Sequence, residues 1–308
     1  MWRATRTPDG PATTEVTATL RAGHGGASPA SAAARAEGPR ATGVTVTMRA
    51  WGPGAQWCLD GLTTLIGEEP PALDRFGESN LYEPASETSR TEFLRSTEVI
   101  ADLQRRFPGV RLCATGAVME ALIPSILEQK VIGQEAWRSY AALVRRLGQP
   151  APGPLPPEAA GLMVPPSPAV LGGTPTWVFH RCNVERKRAD TVRMAAGYSL
   201  RLEEIGGLTR PEAYSRLTAL PGIGPWTAAE VARMALGDGD AVSVGDYHLP
   251  NRVAWALAAE ARADDARMLE LLEPWRGWRA SVIRLIEVGA PGPPRFGPRL
   301  AVAPITDI

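Results

Sequence analysis

Residues 220–246 read LPGIGPWTAAEVARMALGDGDAVSVGD. Leu220, Pro221, Gly222, Ile223 and Gly224 leave only a tight turn between two runs with helical spacing. Gly222 and Gly224 tolerate positive φ and carry no Cβ to block a close approach. Their amides, with that of Ile223, can then converge beside a helix N-terminus, which suits an anion such as a phosphate. Ile223 is expected to plug the turn into the core. In the outgoing helix Ala228, Val231, Ala232 and Ala235 share one face, small enough for close packing on the incoming helix. The polar loop VSVGD then delivers Asp246 to the start of a third helix near Leu249-Pro250. Two readings of the turn stand at this point: glycine for turn geometry alone, or a phosphate grip with an acid beside it.

Outward from this stretch the chain stays helical. Helices are expected over Phe93–Phe107, Gly116–Val131 (broken or kinked at Pro124), Gln134–Leu147, a short piece after Thr176, and Arg186–Glu204. Pro211–Leu220, Pro225–Leu236, Leu249–Ala261, Asp264–Leu272 and Trp275–Val288 complete the set. Residues 149–168 are Pro-rich and read as a surface connection. The N-terminal part differs. WRATRTP and TTEVTATL flank Asp9-Gly10, a hairpin signal, and GVTVTMRAWG alternates as a half-buried strand does. Residues 23–41, rich in Gly, Ala, Ser and Arg, have too little apolar mass to order themselves and read as a disordered insert. Because strand-like sequence begins at Trp2, a truncated start stays open. The expected organisation is mainly α: a β-containing domain over 1–76, a linker over 77–91, an all-α bundle over 92–289 and an extended tail over 290–308.

The chain has 308 residues and a formal net charge of zero, so any attraction to nucleic acid must be local. Two such patches are candidates for phosphate contacts, Arg181, Arg186, Lys187, Arg188 and Arg193, and Arg138, Arg145 and Arg146, with a solvated helix face as the alternative. Cys58, Cys113 and Cys182 lie far apart and make no metal-ligand spacing, which argues against structural zinc and against a four-cysteine iron–sulfur cluster. With no apolar run long enough to cross a bilayer and no signal-peptide core, a cytoplasmic, nucleoid-associated protein is expected.

LPGIGPWTA followed by VSVGDYHLPN resembles the helix–hairpin–helix DNA glycosylase superfamily. Within it the chain looks most like the bacterial 3-methyladenine DNA glycosylase II group, and ALIPSILEQKV is similar to the helix that probes DNA there. The resemblance implies an all-α helix–hairpin–helix bundle and a monofunctional glycosylase that flips an alkylated purine out of double-stranded DNA and hydrolyses its N-glycosidic bond. Asp246 would be the catalytic carboxylate, with a helix N-cap as its plainer role. Leu220, Pro221, Gly222, Ile223, Gly224, Thr227, Gln129 and Lys130 would contact DNA, the last two near the gap left by the flipped base. Lys130 departs from the apolar wedge of the closest relatives and reads equally as a surface lysine. Strand-cutting members carry lysine where this chain has Trp226, so no lyase step is expected. Trp226, Glu230, Tyr247 and Trp275 would line the base pocket, although Trp226 and Trp275 also suit bundle packing. No cofactor is required; the resemblance implies room for a Na or K ion at the carbonyls of Leu220 and Ile223. Duplex DNA is the implied partner of a monomer with no obligate protein partner and no membrane. Two other readings stay open: a non-catalytic helix–hairpin–helix DNA-binding protein, and a glycosylase for deaminated or oxidised bases.

Overall fold

The computed structural model describes residues 1–22, 41–67 and 86–294. The expected insert at 23–41 and the linker before residue 86 fall almost wholly outside these residues, as does most of the tail. The chain forms two compact units, residues 1–62 with 150–164, and residues 63–149 with those from 165 onward.

The first unit is built on an antiparallel sheet of β1 (Trp2–Thr7), β2 (Gly10–Ala22) and β3 (Ala41–Trp51), paired in that order. Thr7 pairs with Gly10, so the turn residues are Pro8 and Asp9, and Gly10, with φ +126°, opens β2. The Thr7 hydroxyl closes the turn by donating to the Gly10 carbonyl at 2.9 Å. Trp2 and Trp51 stack with ring centroids 5.4 Å apart. Helix α1 (Ala55–Asp60) follows β3. Residues 149–168 are more than the surface connection expected: β4 (Gln149–Pro150) pairs with β5 (Met163–Val164), and residues 150–164 belong to the first unit. Val164 is fully buried there, against Ala4 and Ala151.

The chain enters the second unit through α2 (Leu62–Ile66). Helix α3 (Glu87–Arg106) starts inside the expected linker, because the Ser86 side chain caps it by accepting from the Ser89 amide at 3.1 Å. Then come α4 (Val118–Leu127) and α5 (Gly133–Leu147). Pro124 sits inside α4 without ending it. After α6 (Pro168–Gly173) and α7 (Thr176–His180), the single helix expected over Arg186–Glu204 is two, α8 (Arg186–Gly197) and α9 (Ser199–Glu203), divided at Tyr198. The remaining helices are α10 (Arg210–Thr218), α11 (Pro225–Leu236), α12 (Leu249–Ala258), α13 (Asp265–Leu272) and α14 (Arg279–Gly289). The last is shorter than expected, since Glu273–Trp275 forms one 3-10 turn and Gly277, at φ +90°, redirects the chain. Among the described residues no helix is long and apolar enough to cross a membrane.

Two hydrophobic clusters organise this unit. One gathers α4, α5 and α8 to α11 around Leu122, Ile126, Phe179 and Leu217. The other gathers α3 and α12 to α14 around Ile100, Leu257, Trp275 and Ile286. The hairpin and α11 belong to the first and α12 to the second, so residues 237–248 cross from one cluster to the other. Polar ties fix this crossing. Asp238 accepts from the Tyr214 hydroxyl at 3.1 Å, and Asp240 accepts from Arg279 Nε at 2.6 Å and from the Gly277 amide at 2.6 Å. A loop anchored this heavily can present Asp246 in one place.

Candidate functional site

Helix α10 ends just before the expected turn, at Thr218, and α11 begins just after it, at Pro225. Gly222 has φ +87°, and a Cβ built on it would lie 2.7 Å from Thr191 Oγ1 of α8, so only glycine fits. Gly224 differs from expectation. Its φ is −95° and a Cβ there meets nothing within 4 Å, so its backbone does not require glycine; the missing side chain leaves open space in front of the helix. The Ile223 amide is not part of an anion nest, because it donates to the Leu220 carbonyl at 3.0 Å. The amides of Gly222, Gly224, Trp226 and Thr227 have no acceptor among the described residues, and α11 has no side-chain cap. Those N–H groups, with Pro225 at the first helical position, form the positive end of α11. Leu220 and Ile223 are buried at 8 % and 4 % exposure, so only their backbone faces the turn surface.

Gln129 and Thr227 were expected to touch DNA, yet the structure uses both inside the protein. Gln129 Nε2 donates to the Gly222 carbonyl and to Thr227 Oγ1, each at 2.9 Å, and Thr227 is buried. The pair brackets the end of α4 against the hairpin. Lys130 follows with φ +57°, exposed and without a hydrogen bond or ion pair among the described residues. The Ile223 carbonyl accepts from no donor among the described residues, and the Leu220 carbonyl keeps its second lone pair. These neutral oxygens fit a monovalent cation.

Asp246 takes the plainer of its two expected roles, that of helix cap, and is held from a second side as well. Oδ1 accepts from the His248 and Leu249 amides at 2.7 and 2.8 Å, which caps α12, and Oδ2 accepts from Trp226 Nε1 at 3.1 Å. Three donors orient the carboxylate while Oδ2 keeps one lone pair for a ligand. Trp226, half-buried, is therefore a neighbour of the acid and not a core residue. Glu230, one turn further along α11, does not offer a free carboxylate. It pairs with Arg233 at 2.5 Å and accepts from Ser243 Oγ at 2.5 Å, which ties α11 to the loop three residues before Asp246.

Two expected pocket residues lie elsewhere. Trp275 is fully buried in the second cluster, its ring centroid 6.3 Å from that of Phe93. Tyr247 is 85 % exposed and touches the edge of the His248 ring, centroids 4.9 Å apart, instead of walling a pocket. Sequence reasoning missed Glu128, which ends α4. Burial pushes its carboxyl up, Glu230 and Asp246 push it further, and Arg233 partly opposes them. Its only sequence signal is a charge directly after a strongly apolar helix. The same reasoning missed Glu203 of α9, whose carboxylate caps α4 by accepting from the Val118 and Met119 amides at 3.0 and 2.9 Å.

Solved structures with the same fold are DNA glycosylases. The 3-methyladenine DNA glycosylase from Archaeoglobus fulgidus matches with a TM-score of 0.64 and 20% identity, covering 92% of this chain and 85% of that one. An 8-oxoguanine glycosylase/lyase from Clostridium acetobutylicum, in complex with double-stranded DNA, matches with a TM-score of 0.58 and 12% identity over 92% and 85%. The 3-methyladenine DNA glycosylase of Schizosaccharomyces pombe, in complex with abasic DNA, matches with a TM-score of 0.51 and 16% identity over 70% and 95%. No protein-family model and no curated protein sequence matches the chain. The small N-terminal sheet followed by a helical bundle is the helix–hairpin–helix DNA glycosylase fold.

Proposed function

We propose that this chain is a DNA glycosylase that uses water, acts on duplex DNA and removes alkylated purines of the 3-methyladenine type. The observation that carries the proposal is the orientation of Asp246 by Trp226 Nε1 at 3.1 Å, beside a hairpin with open amides. The free N–H groups of Gly222, Gly224, Trp226 and Thr227 would hold a backbone phosphate. That contact fixes the deoxyribose of a flipped nucleotide near the carboxylate. As the glycosidic bond lengthens, positive charge grows on the sugar, and the fixed negative charge of Asp246 stabilises it. The open lone pair of Oδ2 then orients the attacking water or accepts its proton. N3- or N7-alkylation leaves a purine cationic, so it departs without a strong acid. The half-buried indole of Trp226 offers an aromatic face to such a base.

The absence of a lyase step is part of the same proposal. Trp226 stands where the resemblance puts the Schiff-base lysine, and the chain has no lysine from Leu220 to Ile308. A Na or K ion at the carbonyls of Leu220 and Ile223, when bound, would add positive charge beside the phosphate; the chemistry does not require it.

The test is release of bases from methylated duplex DNA by the intact protein and by Asp246→Asn. Release by the intact protein and a loss of at least about a hundredfold in the variant is expected, the scale of removing a transition-state charge contact. No release by the intact protein, or equal release by both, refutes it. A borohydride-trappable adduct with strand nicking would refute the water mechanism alone.

A further inference from the structure

Only two of the basic residues in the chain are lysines, Lys130 and Lys187, and each lies within one helical turn of a residue that meets Gly222 of the hairpin. Lys130 follows Gln129, the residue bonded to the Gly222 carbonyl. Lys187 reaches the other side through α8. Thr191 of that helix abuts Gly222, and its hydroxyl donates to the Lys187 carbonyl at 3.0 Å. Residues four apart share one stripe of a helix, so Lys187 and Thr191 belong to the same stripe. Thr191 is 6 % exposed because the hairpin covers it, whereas Lys187, one turn toward the N-terminus, is exposed.

The other cations of this region are committed differently. Arg186 and Arg193 lie on the neighbouring stripe, each within ion-pair distance of Asp190, at 3.7 and 3.9 Å. Arg188 is 4 % exposed and donates to the Leu127 carbonyl at 2.7 Å, capping α4. Arg181 stacks over the Trp177 ring at 5.1 Å. The Lys187 ammonium has no hydrogen bond or ion pair among the described residues. The helix end itself is already served: Glu185 is the N-cap of α8, and its carboxylate lies 3.4 Å from Arg188 Nε. Of the three basic residues in that first turn, Arg186 pairs with Asp190 and Arg188 caps α4, which leaves the Lys187 ammonium as the one without a partner among the described residues.

We infer that Lys187 and Lys130 each hold a backbone phosphate, one on either side of the hairpin, so that a DNA strand tracks from Lys187 across the Gly222 and Gly224 amides to Lys130. This rests on the duplex-binding part of the proposed function. It separates the first basic patch into one residue that faces DNA and four that serve the protein.

The experiment is fluorescence anisotropy of the full chain on an undamaged labelled duplex across a salt series. Each phosphate contact contributes about 0.9 to the slope of log K against log salt. Lys187→Ala is expected to lower that slope by about 0.9, Lys130→Ala by a similar amount, and the double variant by roughly twice as much. Lys187→Arg should restore it, because charge alone is used. Arg186→Ala, on the neighbouring stripe, should move it much less. A wild-type slope for Lys187→Ala with unchanged melting temperature overturns the inference while leaving duplex binding intact. No duplex binding by the wild-type chain refutes the reading beneath it instead.

Discussion

The Trp226 indole nitrogen donates to Asp246 Oδ2 across 3.1 Å, joining the first turn of α11 to the residue that caps α12. The bond spans the two hydrophobic clusters of the bundle. It aims a carboxylate whose other oxygen is already held by two amides. Trp226→Phe keeps the aromatic face and removes the donor. A hydrogen bond to a charged group is worth about 1.5–3 kcal/mol, so turnover should fall at least about tenfold. Single-turnover base release measured beside duplex affinity checks this. Affinity should stay within about twofold, because the amides at the hairpin are untouched; an equal fall in both would assign Trp226 to DNA binding instead.

Gly222 and Gly224 flank a single residue, Ile223, and should respond differently. Alanine at 222 must adopt φ +87° and meet Thr191 Oγ1 at 2.7 Å, so a cost of about 1–2 kcal/mol or more is expected in thermal unfolding. Thr191→Ala in the same chain removes the clash but not the φ cost, and should recover part of the loss. Alanine at 224 meets nothing and should leave stability within about 0.5 kcal/mol. A bulky Gly224→Trp change should fold and yet bind undamaged duplex weakly, because the indole occupies the space in front of the open amides. Unchanged binding would take the hairpin out of the interface.

The features read correctly in advance are local ones. LPGIG is a turn signal between two periodic runs, and VSVGD precedes a Pro-marked helix start, so the hairpin and its acid were legible without tertiary information. What surrounds them was not. Gln129 meets Gly222 from 93 positions away, and no pattern of spacing encodes that encounter. Gln129 and Thr227 therefore read as available polar groups although each satisfies the other. Trp275, between Pro274 and Arg276, looks alike in a pocket or a core; the approach of Phe93 from α3 decides it. Val164 ends the run Leu162-Met163-Val164 in a Pro-rich stretch, and three apolar residues are too few to show the period that would reveal its burial. The break between α8 and α9 is the exception: Gly197, the last residue of α8, is a helix-stop signal that the single-helix reading passed over.

Trp275 gives a test that separates core from pocket. Truncating a fully buried aromatic costs about 3–5 kcal/mol, and for a chain of this size that corresponds to roughly 10 °C in melting temperature. Trp275→Ala should show a loss of that order in a thermal melt. Trp275→Phe, which keeps most of the buried volume, should lose much less. A variant that melts like wild type while excising different bases would return Trp275 to the pocket.

Glu128 makes a pH-dependent prediction about stability. Burial, Glu230 and Asp246 raise its carboxyl above the ordinary glutamate value, and Arg233, itself paired to Glu230 at 2.5 Å, only partly compensates. The folded state therefore binds this proton more tightly than the unfolded chain does. The sign follows from linkage: with the folded pKa raised, the protonated form favours folding, and stability is lost as pH climbs from the unfolded value through the folded one. At neutral pH the setting of Glu128 is therefore a cost to the fold. Glu128→Gln keeps the shape and removes the charge, so it should raise the melting temperature at pH 7. The gain should shrink as pH falls through the carboxylate range and vanish once wild-type Glu128 is protonated in both states. Because the side chain is partly exposed, solvent screening keeps the gain to a few degrees at most. Melting curves of both proteins across that range decide it. A constant difference at every pH would mean that the carboxylate charge is not what strains this corner of the site.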